Sequence, residues 1–289
     1  MSAAPFAPAP GRGSRRIRLL GEDATHYVYL TRSRRTGALS LGIDMTPSAE
    51  CAFACDYCHV PRDHVRARPD AIDLDRLRHE LSAALHRMNQ PLMDIAFAGS
   101  GEPTMSPSFV GALALAIEVA EAIHPPLMVR VFTCGVLLGR PPIRDAMVEL
   151  VKRHRGEVWV KLDSWNEASM RRISGFRGQP RHEARIARFS RHAPVVLQVL
   201  VAHRDQGFTV AETAEGIGGA LRRLRDAGAD IDRVIVSTLY RSSGSSRPGL
   251  APCSRDELER VAAAARAAGL KAIAVPANPT HPDDVVAAS

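Results

Sequence analysis

Three cysteines, Cys51, Cys55 and Cys58, lie close together in the segment Thr46 to His59. Thiolates at such short spacing are typical of a metal centre in a reducing compartment rather than of a disulfide framework, and the total of 5 cysteines is odd. On a cube of four irons and four sulfides, three cysteines leave one iron without a protein ligand, and that open position can bind a substrate. The spacing therefore predicts a metal centre, and an iron–sulfur cluster held in this way would have one reactive corner.

Two other interpretations of these cysteines are open. The same spacing describes one face of a helix, which would make the cysteines structural core residues, but Asp56, His59 and Pro61 are poor residues for a helix core. A zinc site formed by the three cysteines and His59 is the stronger alternative. Its weakness is that the adjacent Cys58 and His59 would have difficulty in ligating one tetrahedral ion.

The chain carries a formal charge of +7 with a pI near 9.6. Such a charge can indicate an RNA partner, because basic residues displace counterions from phosphates. Nearly all of the positive charge is arginine in an alanine-rich chain, a pattern that coding bias also produces, so RNA is a possible partner but not the favoured one. Combined with the zinc alternative, it gives the hypothesis of a zinc-stabilised nucleic-acid-binding protein.

The composition is that of a globular protein, with 45% hydrophobic and 24% charged residues in 289. No stretch approaches the roughly 18 consecutive apolar residues of a membrane-spanning helix. The first residues contain no apolar signal core before their basic cluster. We therefore expect a cytoplasmic protein with no membrane partner.

The cysteine loop must be positioned by the elements around it. From Leu39 onward, short apolar runs alternate with helix-patterned segments, which is typical of βα units around a parallel sheet. The predicted fold class is α/β, a full or partial parallel (βα)6-type TIM-like barrel, with its active site at the carboxyl ends of the strands. The predicted barrel strands are residues 40–46, 94–98, 128–133, 158–163, 195–202, 233–238 and 271–275.

Residues 1–37 are rich in Pro, Gly and Arg and predict a short N-terminal basic arm, in which the apolar run 27–30 could add one strand. Residues 38–289 would form the barrel and a short C-terminal tail. Helix starts are predicted at Asp73, at Ser106-Pro107, and at Ser254 with Glu257 as a capping box.

The cysteine loop resembles that of the radical SAM superfamily, whose cysteines are spaced C-x3-C-x2-C with an aromatic residue before the last. Cys51, Cys55, Tyr57 and Cys58 match this pattern. The resemblance implies a [4Fe-4S] cluster whose open iron is chelated by S-adenosylmethionine (SAM). Electron transfer from the cluster then releases a 5′-deoxyadenosyl radical, or less favourably an aminocarboxypropyl radical, while the protein orients the target C–H bond and excludes water.

Other motifs at the predicted rim are similar to family motifs. The turn Gly99-Ser100-Gly101-Glu102 could be only a tight turn before a helix, but its position favours the family's Gly-Gly-Glu-type motif for the SAM amino group. Thr133-Cys134-Gly135 is similar to the Thr-Asn-Gly turn, with cysteine in place of asparagine. The cofactor-binding candidates are Tyr57, Gly99, Ser100, Gly101, Glu102, Thr133, Asp163, Ser164 and Gln198.

Three of these candidates have competing structural interpretations. Asp163 and Ser164 follow a strand and could bond the ribose of SAM or equally cap the next helix. Gln198, isolated in an apolar strand, would be a buried amide that touches SAM or closes a core network. Arg241 and Arg247 would suit an anionic substrate group or lie in a solvated loop; together with Cys134 they are the substrate candidates.

Within the superfamily, the chain resembles the branch of wyosine tRNA-base synthase-like proteins over residues 40–279. The resemblance does not identify the substrate, and our hypothesis is a small-molecule or nucleotide-derived substrate. Because the sequence contains no flavodoxin-like domain, an external one-electron reductant of the flavodoxin or ferredoxin type is expected. Cys134 and Cys253 are too few for the usual auxiliary cluster. A radical activase of a partner protein is the remaining alternative.

Overall fold

The computed structural model describes residues 27–33, 38–47, 50–58, 69–123, 125–239 and 249–277. The strands are β1 Val28–Arg32, β2 Leu39–Ile43, β3 Leu92–Phe97, β4 Met128–Thr133, β5 Gly156–Lys161, β6 Val195–Arg204, β7 Ile231–Thr238, β8 Leu250–Pro252 and β9 Ala272–Val275. The helices are α1 Leu74–Arg87, α2 Phe109–Glu121, α3 Pro141–Arg153, α4 Glu167–Ser174, α5 Gln179–Ser190, α6 Val210–Asp226 and α7 Arg255–Ala267, with a 3₁₀ helix at Pro103–Met105.

Strands β2 to β7 and β9 form one parallel sheet in chain order, and helices connect each strand to the next. β1 is antiparallel to β2 at one edge, and β8 is antiparallel to β6. Since β1 and β9 end the sheet without pairing with each other in the described parts of the chain, the barrel is partial. The predicted α/β fold class is confirmed.

Every helix described is too short or too polar to span a bilayer.

Each of the seven predicted barrel strands overlaps one observed parallel strand. Asp73 caps α1, and Ser254 forms the expected capping box with Glu257 at α7. The helix predicted after Ser106-Pro107 is observed as α2, but it begins at Phe109, because Ser106 ends the 3₁₀ helix and Ser108 is the N-cap of α2. The boundary between the basic arm and the barrel stays a prediction.

The two faces of the sheet carry different side chains. In β6, one set of alternate residues packs into the main core with the helices, while Val196 packs on the concave face with Trp159 and Ile235. Because side chains alternate along a strand, Lys161 and Gln198 also lie on the concave face. They are direct register partners, with Lys161 at the carboxyl end of β5 and Gln198 near the middle of β6. The concave face is therefore apolar in its middle and polar toward the carboxyl ends.

A buried ionic network occupies the amino-terminal half of the concave face. Arg130 forms an ion pair with Asp94 and a second one with Glu157, whose Oε2 lies 2.8 Å from Nε. Arg233 approaches the other oxygen of Glu157 at 2.8 Å, and Trp159 Nε1 donates to Glu157 at 2.7 Å. The network joins β3, β4, β5 and β7 at the end of the barrel opposite the cysteine loop.

Replacing Arg130 by methionine should reduce the free energy of unfolding by about 3–5 kcal/mol, because the carboxylates of Asp94 and Glu157 would lose a buried partner. The matched control is Arg144→Met, whose ion pair with Asp145 is 32% and 62% exposed. That variant should change stability by no more than about 0.5 kcal/mol. Urea unfolding under identical cluster loading measures both, and equal effects of the two substitutions would contradict a structural role for the network.

Candidate active site

The three cysteines lie in the loop between β2 and α1, which forms no helix or strand over its described residues. Its backbone pairs with the last turn of α4: Ala54 N donates to Ser174 O and Asp56 N to Ile173 O, both at 2.7 Å. The Asp56 carboxylate forms a bidentate ion pair with Arg204 at the end of β6, at 2.7 and 3.1 Å. Both side chains are buried. These bonds satisfy groups that a regular element would otherwise have paired.

The predicted glycine turn fixes the other side of this loop. A Cβ on Gly99 would lie 2.2 Å from Asp44 Oδ1, and one on Gly101 would lie 1.9 Å from Glu50 O. Glu102 N donates to the same Glu50 carbonyl at 2.8 Å. The close approach that these glycines permit is thus to the cysteine loop. Their contact with SAM stays a prediction.

Asp44, which sequence reasoning missed, joins the turn to the start of the loop. Its carboxylate accepts hydrogen bonds from Ser100 Oγ at 2.8 Å and from Ser100 N at 3.1 Å. Thr46 N donates to Oδ1 at 3.2 Å. Ser100 therefore holds the loop in place, and its predicted contact with SAM is untested.

The Glu102 carboxylate is buried at the centre of a hydrogen-bond network. Oε1 accepts from the Thr104 hydroxyl and, at 2.6 Å, from the Thr133 hydroxyl, while Oε2 accepts from Cys134 N at 2.6 Å. The residue is 2% exposed. Glu102 thereby brings the predicted Thr133-Cys134 turn next to the glycine turn. Its contact with the SAM amino group stays a prediction.

An apolar cluster surrounds the cysteines, formed by Cys55, Cys134, Phe53 and Met170 with Cys51 and Cys58 packed against it. Burial raises the pKa of the Cys55 thiol to about 11. A hydrogen bond with Cys134 lowers the pKa of Cys51. Burial and the same hydrogen bond raise the pKa of Cys134. Cys134 thus lies against Cys51 of the cysteine loop, and its predicted contact with substrate is untested.

Lys161 places a positive charge beside the cysteine loop. Its Nζ lies 3.8 Å from Cys55 Sγ, 3.8 Å from Asp163 Oδ2 and 4.7 Å from the centroid of the Tyr57 ring. Burial by itself lowers the pKa of Lys161, but the thiolates and Asp163 outweigh burial, so the pKa lies above its usual value. Sequence reasoning did not select this residue. The sequence signal that could have indicated it was a lysine at a strand position that faces the inside of the barrel.

Asp163 is oriented by two donors at the carboxyl end of β5. The Tyr57 hydroxyl donates to Oδ2, and Leu200 N donates to Oδ1 at 2.7 Å. Tyr57, the aromatic residue before the last cysteine, is thereby fixed to the next rim loop. The roles of both side chains toward SAM stay predictions.

The alternative that Asp163 or Ser164 caps the following helix is wrong. Asn166 caps α4, and its side chain accepts from Ser169 N at 2.8 Å. Ser164 Oγ instead donates to Gln179 Oε1 at 2.7 Å. Trp165 and Asn166 therefore lie between Ser164 and the first residue of α4.

Gln198 is 7% exposed and neighbours Lys161 across β5 and β6. Within the described part of the chain, no hydrogen bond involves its side-chain amide, so the alternative of a closed core network is not formed there. The predicted residues Arg241 and Arg247 lie outside the described residues, as does His59 of the zinc alternative.

The three loop thiols are too far apart to bind one ion together as they stand. Thiolates on one zinc lie about 4 Å apart, given Zn–S bonds of about 2.3 Å. The sulfur atoms of Cys51, Cys55 and Cys58 do not all lie within 4.8 Å of one another. That these cysteines hold an iron–sulfur cluster stays a prediction.

The fold is similar to that of two solved structures. A radical SAM methyltransferase from Sphaerobacter thermophilus matches with a TM-score of 0.63 at 16% identity, over 86% of this chain and 68% of that one. A structure of TYW1 with a lysine–pyruvate adduct bound matches with a TM-score of 0.51 at 15% identity, over 83% of this chain and 84% of that one. Both likenesses support the parallel α/β architecture.

In sequence, the chain is 32% identical over 119 residues to a GTPase Obg from Brachyspira hyodysenteriae. The match covers 40% of this chain but only 16% of that protein. No Gly-Lys pair occurs in the present sequence, so the phosphate-binding loop G-x4-G-K-[ST] is not part of what the two chains share.

The family model of the radical SAM superfamily matches residues 45–206, more than half of the chain. This range contains the three loop cysteines, the Gly99-to-Glu102 turn and Asp163. Members of the family use a [4Fe-4S] cluster and SAM, and generally need an external electron donor. The chain therefore belongs to the radical SAM superfamily, and the protein is a radical SAM enzyme.

Proposed function

We propose that Cys51, Cys55 and Cys58 hold the cluster and that the enzyme acts on a small-molecule or nucleotide-derived substrate bound on the concave face. When bound, the reduced cluster and SAM supply a 5′-deoxyadenosyl radical. The observation that supports this most is the position of the cysteine loop, which lies between the Glu102 turn and the Lys161-to-Asp163 rim at the carboxyl ends of the strands.

The residues around the loop would exclude water from the reaction. Phe53 packs on Phe176 with ring centroids 5.1 Å apart. Both rings belong to the layer of apolar side chains around Cys55 and Met170. A dry apolar shell strengthens electrostatic interactions and keeps solvent from a reactive intermediate. Lys161 compensates part of the negative charge that three thiolates bring into this shell.

Asp163 and Gln198 are the side chains best placed to hold the nucleoside of SAM. Asp163 is oriented before any ligand binds, since Tyr57 and Leu200 N fix its two oxygens. Gln198 lies on the same face and supplies an amide with both donor and acceptor groups. Their arrangement supports hydrogen bonding to ribose hydroxyls or adenine.

The electron donor would be a flavodoxin- or ferredoxin-like protein in the cytoplasm, where thiol ligands stay reduced. Because the chain belongs to the radical SAM superfamily, we prefer the enzyme to the alternative of a zinc-stabilised nucleic-acid-binding protein. Action on RNA and activation of a partner protein stay sequence-based predictions.

Anaerobic reconstitution should give about four irons per chain and a reduced cluster whose spin-resonance signal changes when SAM is added. Alanine at Cys51, Cys55 or Cys58 should abolish this change and reduce 5′-deoxyadenosine formation at least about a hundredfold, because each substitution removes a ligand. Arg144→Met, in α3 and away from the loop, is the control and should retain both signals. A loop variant that keeps wild-type turnover would exclude the assignment; methylthioadenosine as product would indicate the aminocarboxypropyl route.

Replacing Lys161 by methionine should make the midpoint potential of the cluster more negative by an amount on the order of 100 mV, because a unit positive charge is lost near the thiolates. Lys161→Arg keeps the charge and should stay close to the wild-type value. A redox titration followed by spin resonance measures both variants. An unchanged potential in the methionine variant would show that Lys161 does not act on the cluster.

Alanine at Gly101 should lower the iron content to less than half of the wild-type value, because its Cβ would lie 1.9 Å from Glu50 O and displace the cysteine loop. Gly139→Ala is the matched control, since a Cβ there has no neighbour within 4 Å. Iron analysis after identical reconstitution compares them. If both variants load fully, the close approach of turn and loop is not required for the cluster.

A further inference from the structure

A second group of metal-binding side chains lies away from the cysteine loop. One ligand atom each from His203, Cys253 and Glu257 lies within 4.8 Å of the other two. His203 Nε2 and Glu257 Oε2 are 3.1 Å apart. The three residues have no role in the function proposed above.

Different elements bring these residues together and fix their backbones. His203 lies in β6 and pairs in register with Ala251 of β8, and Cys253 follows β8 directly. Cys253 N donates to the Thr238 hydroxyl on β7 at 2.8 Å. Glu257 lies in the first turn of α7. Because the backbones are already ordered, binding of an ion would cost little conformational entropy.

The environment of the donors suits a divalent cation. Cys253 is 4% exposed, and burial raises the pKa of its thiol to about 11, so a bound cation would have to displace the thiol proton. Ser254 N and Oγ hold the Glu257 carboxylate at 2.8 and 2.9 Å, which orients it in the way that outer-shell hydrogen bonds orient metal ligands. One thiolate and one carboxylate would neutralise a 2+ ion, so the complex as a whole would carry no net charge in its partly buried position.

The chemistry of the donors selects the metal. An imidazole, a thiolate and a carboxylate together match the nitrogen, sulfur and oxygen ligands of zinc, with a water molecule completing four-coordination. Calcium and magnesium prefer oxygen ligands alone. Binding would release the Cys253 proton to solvent.

We propose that His203, Cys253 and Glu257 form a zinc site separate from the iron–sulfur cluster. The ion would tie the end of β6 to β8 and to the start of α7. Arg204 follows His203 directly and forms the buried ion pair with Asp56 of the cysteine loop, so the zinc site would also stiffen the strand end on which that ion pair depends.

Zinc bound to the anaerobically reconstituted holoenzyme tests the site. Equilibrium dialysis with zinc, followed by mass spectrometry, should give about one zinc per chain in addition to the cluster iron. The zinc-edge X-ray absorption spectrum should show one sulfur at about 2.3 Å and nitrogen or oxygen neighbours at about 2.0–2.1 Å. A shell with two or three sulfurs would place the zinc in the cysteine loop and overturn the proposal, as would the absence of stoichiometric zinc.

Variants separate the site from surface binding. Cys253→Ser and His203→Asn should each weaken zinc binding at least about tenfold. His203 is 48% exposed, so its variant keeps the test valid if the buried cysteine variant does not fold. His154→Asn is the matched control, because His154 pairs with Glu121 at 2.6 Å without a cysteine nearby. Unchanged zinc affinity in His203→Asn, or an equal loss in the control, would exclude the site.

Discussion

The site depends on how an irregular loop satisfies its backbone. The cysteine loop forms no helix or strand in its described part, so its buried N–H and C=O groups must pair with other elements. Glu50 O accepts from Glu102 N on one side, and Ala54 N and Asp56 N donate to the end of α4 on the other. The position of the thiols is thus fixed by hydrogen bonds between their loop and the barrel rim, and residues other than the cysteines make these bonds.

Two groups of charged side chains lie at opposite ends of the concave face of the barrel. Arg130, Asp94 and Glu157 form a compact ionic network in the amino-terminal half of the concave face. Lys161 and Asp163 lie at the carboxyl end, beside the thiols. An apolar layer that contains Trp159 lies between the two groups. The charges of the Arg130 network are paired with one another, so the network can stabilise the fold at a position apart from the thiols.

Local patterns in the sequence predicted the fold and the cysteine loop. Apolar runs and caps such as Asp73 depend on neighbours a few residues away, so the strands and helix starts follow from them. The pair Asp56–Arg204 joins residues 148 positions apart, and nothing local indicates it. The same holds for the contact of Gly101 with Glu50: the glycine was visible, but its neighbour was not. Asn166, rather than Asp163, caps α4. The sequence offers both side chains, and the path of the chain between β5 and α4 determines which of them reaches the free N–H groups of the helix.

In the proposed site, the cluster keeps one iron without a protein ligand, and SAM binds to that iron. Electron–nuclear double resonance of the reduced cluster, with SAM labelled by nitrogen-15 at the amino group and oxygen-17 at the carboxylate, tests this most directly. Hyperfine coupling from both labels is the result expected for three cysteine ligands. A cluster that shows no coupling at saturating SAM, with all four irons held by the chain, would contradict it.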